Sequence, residues 1–198
     1  MAKRVFDVVV ALLALLVFAL PMLLIALAIR LDSPGPVFFR QQRVGQGSQP
    51  FRIHKFRTMV ADAPERGPAL TVGDDPRITR VGAWLRRSKL DELPQLIDVL
   101  AGDMSLVGPR PELPQYVARY PAALRDQVLA LKPGITDPVS LDFADESELL
   151  ARAADPEREY VEVILPRKLS AAVDYARRAT LATDLGVIAS TLRLLVRR

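Results

Sequence analysis

The feature that most constrains this chain is a run of 22 residues, Val8 to Ile29, that is apolar throughout apart from Pro21. As a helix, such a run reaches about 33 Å, enough to cross the hydrocarbon core of a bilayer. It is longer than the apolar core of a secretory signal, and no small-residue cleavage site follows it. We therefore expect residues 1–31 to form a membrane helix and residues 32–198 a cytoplasmic, membrane-associated domain.

Positive charge flanks both ends of this run: Lys3 and Arg4 precede it, and Arg30, Arg40 and Arg43 follow it. The positive-inside rule then places both ends on the cytoplasmic side. Pro21 removes a backbone hydrogen bond near the middle of the helix and favours a bend there. We predict a re-entrant helix that enters one leaflet, turns at Pro21 and leaves on the same side. A kinked spanning helix is the alternative.

The remainder of the chain has the composition of a globular domain, and 25% of all residues are charged. This excludes intrinsic disorder and a transporter with many membrane spans. The chain has no cysteine, which excludes disulfides and thiol catalysis. His54 is its one histidine, which excludes a metal site built from several histidines and argues against a histidine-based catalytic triad.

The pattern of the domain predicts an α+β, mainly helical fold. Two β-rich runs, Val37–Arg43 and Pro50–Arg57, flank a turn at Gly45–Gly47 and predict a small β-hairpin. Helices are expected at Ile78–Arg87, at Asp91–Leu100 and, as two short helices separated at Pro121, between Pro111 and Leu131. The last helix carries one apolar stripe beside basic residues: Leu181, Leu185, Ile188, Leu192 and Leu195, with Arg193, Arg197 and Arg198. It fits an interfacial amphipathic helix and a core-packing helix equally well.

Several common phosphate and nucleophile motifs are missing from the sequence, among them the P-loop, the dinucleotide-binding glycine motif and the nucleophile elbow. The strongest remaining candidate is the pair Asp91 and Glu92 at the expected start of a helix, where the dipole favours ionised carboxylates and phosphate oxygens. Arg86, shortly before the pair, suits phosphate binding. An ionised Asp91 can attack phosphorus and form an acyl phosphate. Mg²⁺ bound by Asp91 and Glu92 together with substrate phosphates would neutralise charge. The alternative is that both acids only cap the helix.

A second candidate is the stretch from Gly102 to Glu112, which is rich in glycine and proline and predicts a rigid loop that presents Arg110. Such a loop suits phosphate binding, although a purely structural turn is common.

Six ordered motifs between residues 3 and 140 resemble those of the monotopic phosphoglycosyl transferases, the bacterial sugar transferases that begin glycoconjugate assembly. They are Lys3-Arg4-Val5-Phe6-Asp7, Ser33-Pro34-Gly35-Pro36-Val37-Phe38-Phe39-Arg40-Gln41, Lys55-Phe56-Arg57-Thr58-Met59, Leu90-Asp91-Glu92-Leu93-Pro94-Gln95, Gly102-Asp103-Met104-Ser105-Leu106-Val107-Gly108-Pro109-Arg110-Pro111 and Lys132-Pro133-Gly134-Ile135-Thr136. The chain length is similar to that of the small members.

The resemblance implies transfer of a sugar 1-phosphate from a UDP-sugar to polyprenol (undecaprenyl) phosphate, with release of UMP and with Mg²⁺ as cofactor. It implies that Asp91 is the nucleophile and that Glu92 is a metal ligand or general base. Arg86 and Arg110 match basic positions that hold phosphates. Lys55 and Arg57 match a motif near the membrane, which implies that they bind substrate phosphate, either that of the lipid or the metal-bound diphosphate. It also implies a membrane helix broken at Pro21, in the bacterial inner membrane at its cytoplasmic face.

One residue and one short segment differ from the usual motifs of this family. Leu20 stands before Pro21 where serine is common, and Asp137-Pro138-Val139-Ser140-Leu141 resembles a different branch in a region tied to sugar choice. The sequence leaves the sugar, the glycan and the oligomeric state, a homodimer included, undetermined.

Two other functions fit parts of the pattern. One is a membrane-bound phosphatase that uses an aspartyl phosphate, and the other is a non-enzymatic basic protein that binds anionic lipid. Nucleic acid is a poor fit as a partner, because the basic residues form no stripe and aromatic residues are only 6% of the chain.

Overall fold

A computed structural model of the chain describes residues 1–139 and 146–197. Ser140 and Leu141, which belong to the region tied above to sugar choice, lie outside the described residues. The helices are α1 (Ala2–Asp32), α2 (Ala63–Arg66), α3 (Arg80–Ser88), α4 (Gln95–Ala101), α5 (Pro114–Val117), α6 (Ala122–Leu129), α7 (Glu146–Ala151), α8 (Pro156–Glu159), α9 (Leu165–Arg178) and α10 (Leu181–Arg197). The strands are β1 (Phe38–Val44), β2 (Pro50–Phe56), β3 (Ser105–Val107) and β4 (Gly134–Thr136). The expected mainly helical fold with a small antiparallel hairpin is confirmed.

Helix α1 is continuous through Pro21, so this residue does not end the helix. Its amino-terminal part is fastened to the domain by polar side chains. The Arg4 guanidinium donates hydrogen bonds to the carbonyl oxygens of Val99, at 2.5 Å, and Leu100, at 3.1 Å, near the end of α4. The buried Asp7 carboxylate accepts a 2.8 Å hydrogen bond from the Ser105 hydroxyl of β3.

The carboxyl-terminal part of α1 contacts a different face of the same domain. Ile25 and Ile29 are buried in a cluster with Phe56 of β2 and Leu85 of α3. The Asp32 carboxylate accepts the backbone N–H of residue 81 at 3.0 Å, at the start of α3. Side chains between these two contact regions are exposed, among them Leu16, Val17, Phe18 and Leu20. Both ends of the apolar helix therefore pack on the domain while its middle is bare. The division into residues 1–31 and 32–198 and the bend at Pro21 stay predictions.

Strands β1 and β2 form the predicted hairpin, with an antiparallel register that pairs Phe38 with Phe56 and Val44 with Pro50. The turn between them is closed by a 2.7 Å hydrogen bond from the N–H of Gly45 to the carbonyl of Gln49. Gly47 lies in this turn with φ 64°, a left-handed conformation that glycine adopts without steric cost.

The prediction of one helix from Asp91 to Leu100 is wrong at its start. Lys89 has φ 56° and ends α3, and a separate 3₁₀ turn at Leu90–Glu92 carries the two acids. Helix α4 begins only after Pro94. The acids therefore precede the helix and do not form its first turn, because the left-handed residue and the proline interrupt the helical backbone between α3 and α4.

The expected loop from Gly102 to Glu112 contains strand β3, which pairs in parallel with β4 in the motif that begins at Lys132. A Cβ on Gly134 would lie 2.1 Å from the backbone nitrogen of Gly108, so glycine is required for this close approach. Strands of three residues carry too little periodicity to be predicted from sequence.

The carboxyl-terminal half packs its own core around Tyr116, Tyr160, Leu165 and Leu169, with α5, α6 and α9 contributing. The two short helices expected on either side of Pro121 are α5 and α6. Along α10 the apolar stripe is divided: Leu181, Leu185 and Leu192 are exposed, whereas Ile188 packs beside the cluster of α1 and α4. The helix thus contacts the core and also presents apolar surface.

Candidate active site

A cleft of about 800 Å³ opens between the hairpin, the 3₁₀ turn, the segment after β3 and helices α5, α9 and α10. Of the predicted site residues it is lined by Lys55, Arg57, Arg86, Asp91, Glu92 and Arg110. These residues come from four separate parts of the chain, so the fold brings together most of what the sequence predicted.

Lys55 of β2 lies between the two acids of the 3₁₀ turn. Its Nζ is 2.8 Å from Oδ2 of Asp91 and 3.2 Å from Oε1 of Glu92. The neighbouring His54 secures this strand: its backbone N–H donates to Oδ2 of Asp98 at 2.8 Å, and its Nδ1 lies 2.5 Å from Oδ1 of the same carboxylate. Asp98 is buried on α4, so β2 is tied to the helix that follows the acidic pair.

Glu92 is held by a second cation, Arg110, which lies on the proline-flanked segment after β3. Nη1 of Arg110 donates to Oε2 of Glu92 at 3.2 Å, and Nη2 donates to Oε1. Burial alone would raise the pKa of Glu92, but the charges of Arg110 and Lys55 hold that pKa well below its usual range. Glu92 is therefore an ionised group whose two oxygens are both engaged.

Asp91 differs from Glu92 in that one of its oxygens is unengaged. The residue is 2% exposed, and Oδ1 is buried without a hydrogen-bond partner among the described residues. A buried carboxylate oxygen without a partner is costly and marks a site that a ligand completes.

The fit of a divalent cation can be judged from the donors present. In the described part of the chain no group of three or more histidine, cysteine or acidic side chains is placed to hold a metal. Mg²⁺ needs no such group, since it is held by one or two carboxylates with substrate phosphates and water in the remaining positions. The adjacent carboxylates of Asp91 and Glu92 fit that requirement.

Arg86 of α3 is positioned by hydroxyl groups on the other wall of the cleft. Its Nε donates to Oγ1 of Thr58 at 2.9 Å, and its Nη1 donates to Oγ1 of Thr71 at 3.2 Å. Burial lowers the pKa of Arg86, although the charge of Asp91 opposes this shift. Neutral hydroxyl partners leave the positive charge available to an anion.

Arg57 has other partners. Its Nη2 donates to the carbonyl oxygens of Ile29, at 3.3 Å, and Ser33, at 2.7 Å, and its Nη1 donates to that of Pro34 at 2.5 Å. The nearby Gly35 has φ 122°, and a Cβ there would lie 2.0 Å from Nη1 of Arg57. These contacts fasten the end of α1 to β2. A contact of Arg57 with a substrate phosphate stays a prediction.

Comparison with known proteins identifies the family to which this chain belongs. The model of the bacterial sugar transferases matches residues 1–198. The chain belongs to the bacterial sugar transferase family.

Three relatives illustrate the range of this family. The UDP-glucose:undecaprenyl-phosphate glucose-1-phosphate transferase of Caulobacter vibrioides is 42% identical over 203 residues, which cover 96% of this chain and 68% of the relative. The enzyme of the same name from Escherichia coli is 45% identical over 136 residues, 68% of this chain and 29% of the relative. A UDP-N-acetylgalactosamine-undecaprenyl-phosphate N-acetylgalactosaminephosphotransferase of Aeromonas hydrophila is 47% identical over 118 residues, 60% of this chain and 28% of the relative. This bacterial sugar transferase chain thus spans between 28% and 68% of the length of these relatives.

Sequence reasoning missed several residues of the cleft in this sugar transferase. Lys89, whose pKa is lowered by burial, lines the cleft directly before the 3₁₀ turn, and Thr58 holds Arg86. Thr58 lies inside a quoted motif and Lys89 directly before one, so their position beside basic and acidic residues was a usable signal. Arg43, Glu112 and Tyr160 also line the cleft. No sequence pattern identifies Tyr160 as a site residue. It lies in the turn directly before α9, and tertiary packing places it at the cleft.

Proposed function

We propose that this chain transfers a sugar 1-phosphate from a UDP-sugar to undecaprenyl phosphate with release of UMP, an early membrane step of polysaccharide synthesis. The activities in the names of its relatives support this. The observation that carries it is the buried Asp91, which has one unengaged oxygen in a cleft that also holds Lys55 and Arg110.

The proposed reaction has two steps. In the first, Oδ1 of Asp91 forms a bond to the β-phosphorus of the UDP-sugar while the bond from that phosphorus to the bridging oxygen breaks, and UMP leaves with that oxygen. In the second, a phosphate oxygen of undecaprenyl phosphate attacks the same phosphorus, and the Asp91 carboxylate leaves. Splitting the transfer through a covalent intermediate replaces one difficult step by two easier ones.

The surrounding residues stabilise charge in both steps. Lys55 holds the Asp91 carboxylate in place through its contact with Oδ2, which leaves Oδ1 to attack. Arg110 and Arg86 carry positive charge toward the diphosphate from opposite walls of the cleft. Asp91 and Glu92 would hold Mg²⁺, which when bound supplies neutralisation of charge on the phosphates.

The proposal is tested by the exchange Asp91→Asn, which keeps the size of the side chain and removes the nucleophile. With UDP-sugar and undecaprenyl phosphate, we expect the variant to lose UMP release while keeping its association with membranes. Asp174→Asn on the exposed face of α9 is the matched control and should retain activity. Retained activity in Asp91→Asn would overturn the nucleophile assignment.

The same assay separates the rival activity. Without the lipid acceptor, a transferase releases about one equivalent of UMP and stops with the phosphosugar on Asp91, whereas a phosphatase continues to turn over. Mass measurement of the intact chain after this incubation should find the added phosphosugar. Chelation of divalent cations should abolish the release of UMP, and added Mg²⁺ should restore it.

We further propose that α1 is a re-entrant helix at the cytoplasmic face of the inner membrane. The support is that both of its ends pack on the cytoplasmic domain, through Arg4 and Asp7 at one end and Ile29 and Asp32 at the other. The exposed apolar middle would then be covered by lipid. One substrate is lipid-borne and the other dissolved in water, so a site at this surface meets both.

A further inference from the structure

A second polar cluster lines the cleft beyond the acidic pair, and the proposed two-step reaction does not use it. Its centre is Glu112, whose residue is 8% exposed. The Tyr160 hydroxyl donates a 2.5 Å hydrogen bond to Oε1 of Glu112. The other oxygen, Oε2, lies 4.0 Å from Nη1 of Arg43, beyond hydrogen-bond distance. A carboxylate oxygen has more than one lone pair, so Glu112 has the capacity to accept a hydroxyl group from a ligand.

Arg43 is held in place by two hydrogen bonds, and one of its nitrogen atoms has no partner among the described residues. Its Nη1 donates to the carbonyl oxygen of Pro111 at 3.1 Å, and its Nη2 donates to Oε1 of Gln41 at 2.7 Å. Its Nε is buried without a hydrogen-bond partner among the described residues. Burial lowers the pKa of Arg43, and the charge of Glu112 opposes this. Arg43 thus has an unused hydrogen-bond donor, and it lies beside Glu112 at the wall of the same cleft.

Tyr160 reaches this wall through an irregular backbone. It begins a π-helical turn, Tyr160–Ile164, between α8 and α9. Such turns are rare and frequently lie at functional sites. The ring of Tyr160 packs against that of Tyr116, with centroids 4.7 Å apart. Burial, followed by the charge of Glu112, raises the pKa of Tyr160, which keeps its hydroxyl a donor.

The position of the cluster points to its ligand. Glu112 follows Arg110 by two residues, so their Cα atoms are at most about 7 Å apart. Arg110 is bound to Glu92, beside Asp91, where the β-phosphorus of the nucleotide sugar must lie during attack. The sugar is attached to that same phosphate. Glu112 lines the same cleft and follows Arg110 closely in the chain, so we place its cluster on the side of the phosphate that carries the sugar.

We infer that Glu112, with Arg43 and Tyr160, forms a specificity site that binds hydroxyl groups of the transferred sugar. The inference rests on the proposed function and goes beyond it, because it assigns the choice of sugar to named residues. A site built to hydrogen-bond a substrate hydroxyl discriminates strongly between sugars that differ at that hydroxyl.

The test compares Glu112→Gln with Glu157→Gln. The exposed Glu157 accepts a 3.0 Å hydrogen bond from the Tyr116 hydroxyl, so the two residues form a second tyrosine–carboxylate pair. UMP release is measured with UDP-glucose, UDP-galactose, UDP-N-acetylglucosamine and UDP-N-acetylgalactosamine, with undecaprenyl phosphate as acceptor. For Glu112→Gln we expect the ratio of kcat/KM between two epimers to change about tenfold or more, with unchanged KM for the lipid and unchanged inhibition by UDP. Glu157→Gln should keep the wild-type ratios.

Three results would overturn the inference. One is an equal loss of kcat/KM for every sugar in Glu112→Gln. Another is equal weakening of UDP inhibition, which would show that the cluster binds the nucleotide. The third is the same change of ratios in Glu157→Gln. Absence of UMP release by the wild-type chain with every UDP-sugar would instead refute the proposed function.

Discussion

Four charges cancel in the acidic pair and its cations before any substrate arrives. Lys55 contacts both Asp91 and Glu92, and Arg110 contacts Glu92. The carboxylates hold both cations in place, so the binding of a diphosphate costs little further side-chain entropy. Catalysis gains most from such preorganised charges, because they need not reorient during the reaction.

Replacement of Arg110 tests this arrangement. In Arg110→Met, burial still raises the pKa of Glu92, but the largest opposing charge is gone. Glu92 then becomes protonated at higher pH, so the acid limb of the kcat profile should move up by about one to three pH units. The plateau should fall about 10²-fold or more. Arg66→Met, which removes the exposed ion pair with Asp62, is the control and should leave the profile in place.

Some residues of the candidate site could be predicted from the sequence, whereas the contacts of others could not. Asp91, Glu92 and Arg110 were identified because acids and a proline-flanked arginine in ordered motifs have recognisable chemistry. The place of Lys55 between the acids depends on the packing of β2, which His54 and Asp98 secure across 44 residues of sequence. Arg57 was grouped with Lys55 by its motif, yet its guanidinium binds backbone carbonyl groups of the α1 end.

Among the elements, α3 positions the acids because it is pressed against the strand that carries the basic motif. A Cβ on Gly82 would lie 2.0 Å from the carbonyl oxygen of Thr58, a backbone atom with little freedom to move. Thr58 in turn holds Arg86 through its hydroxyl group. Helix α3 and the end of β2 are therefore in direct backbone contact, and this contact places Arg86 in the cleft.

The exchange Gly82→Ala should separate these elements. We expect a loss of about 1–3 kcal/mol in the free energy of unfolding, since the added methyl group overpacks a backbone contact. Gly186→Ala on α10, where an added Cβ meets nothing within 4 Å, is the matched control. It should be neutral or should stabilise by about 0.5–1 kcal/mol through helix propensity. Denaturant unfolding in detergent measures both, and equal effects would contradict the contact argument.

The elements with strong local signals were the predictable ones. The hairpin has turn residues between two β-rich runs, and the helices on either side of Pro121 are divided by a residue that ends helices. The pairing of β3 with β4 has no local signal, because it joins two glycine-containing segments far apart in sequence. The 3₁₀ turn was hidden by the apolar spacing around it, and only the left-handed Lys89 separates it from α3.

The whole molecule is organised by a helix that begins and ends on the same domain. Lys3 adds to the amino-terminal attachment through an ion pair with the buried Asp184 of α10. These two attachments support the proposed re-entrant helix, because a spanning helix would require the domain to lie on both sides of the bilayer.

Cysteine labelling tests this topology cleanly, because the natural chain has no cysteine. Ala2→Cys and Gln49→Cys should both react with a membrane-impermeant reagent only from the cytoplasmic side of membrane vesicles. Leu16→Cys, whose native side chain is 67% exposed in the structure, should resist the reagent until detergent is added. Reaction of the first two positions from opposite sides would refute the re-entrant helix.

Arg57 is hydrogen-bonded to the end of α1, so it connects the proposed membrane helix to the strand that carries Lys55. One residue, Phe56, separates Arg57 from Lys55, whose ammonium group lies between the acids. A change in the tilt or depth of α1 would therefore be expected to shift Arg57 and, through the short link between them, the Lys55 ammonium group beside Asp91. If α1 lies in the membrane as proposed, the thickness of the surrounding lipid should therefore affect the geometry of the candidate active site.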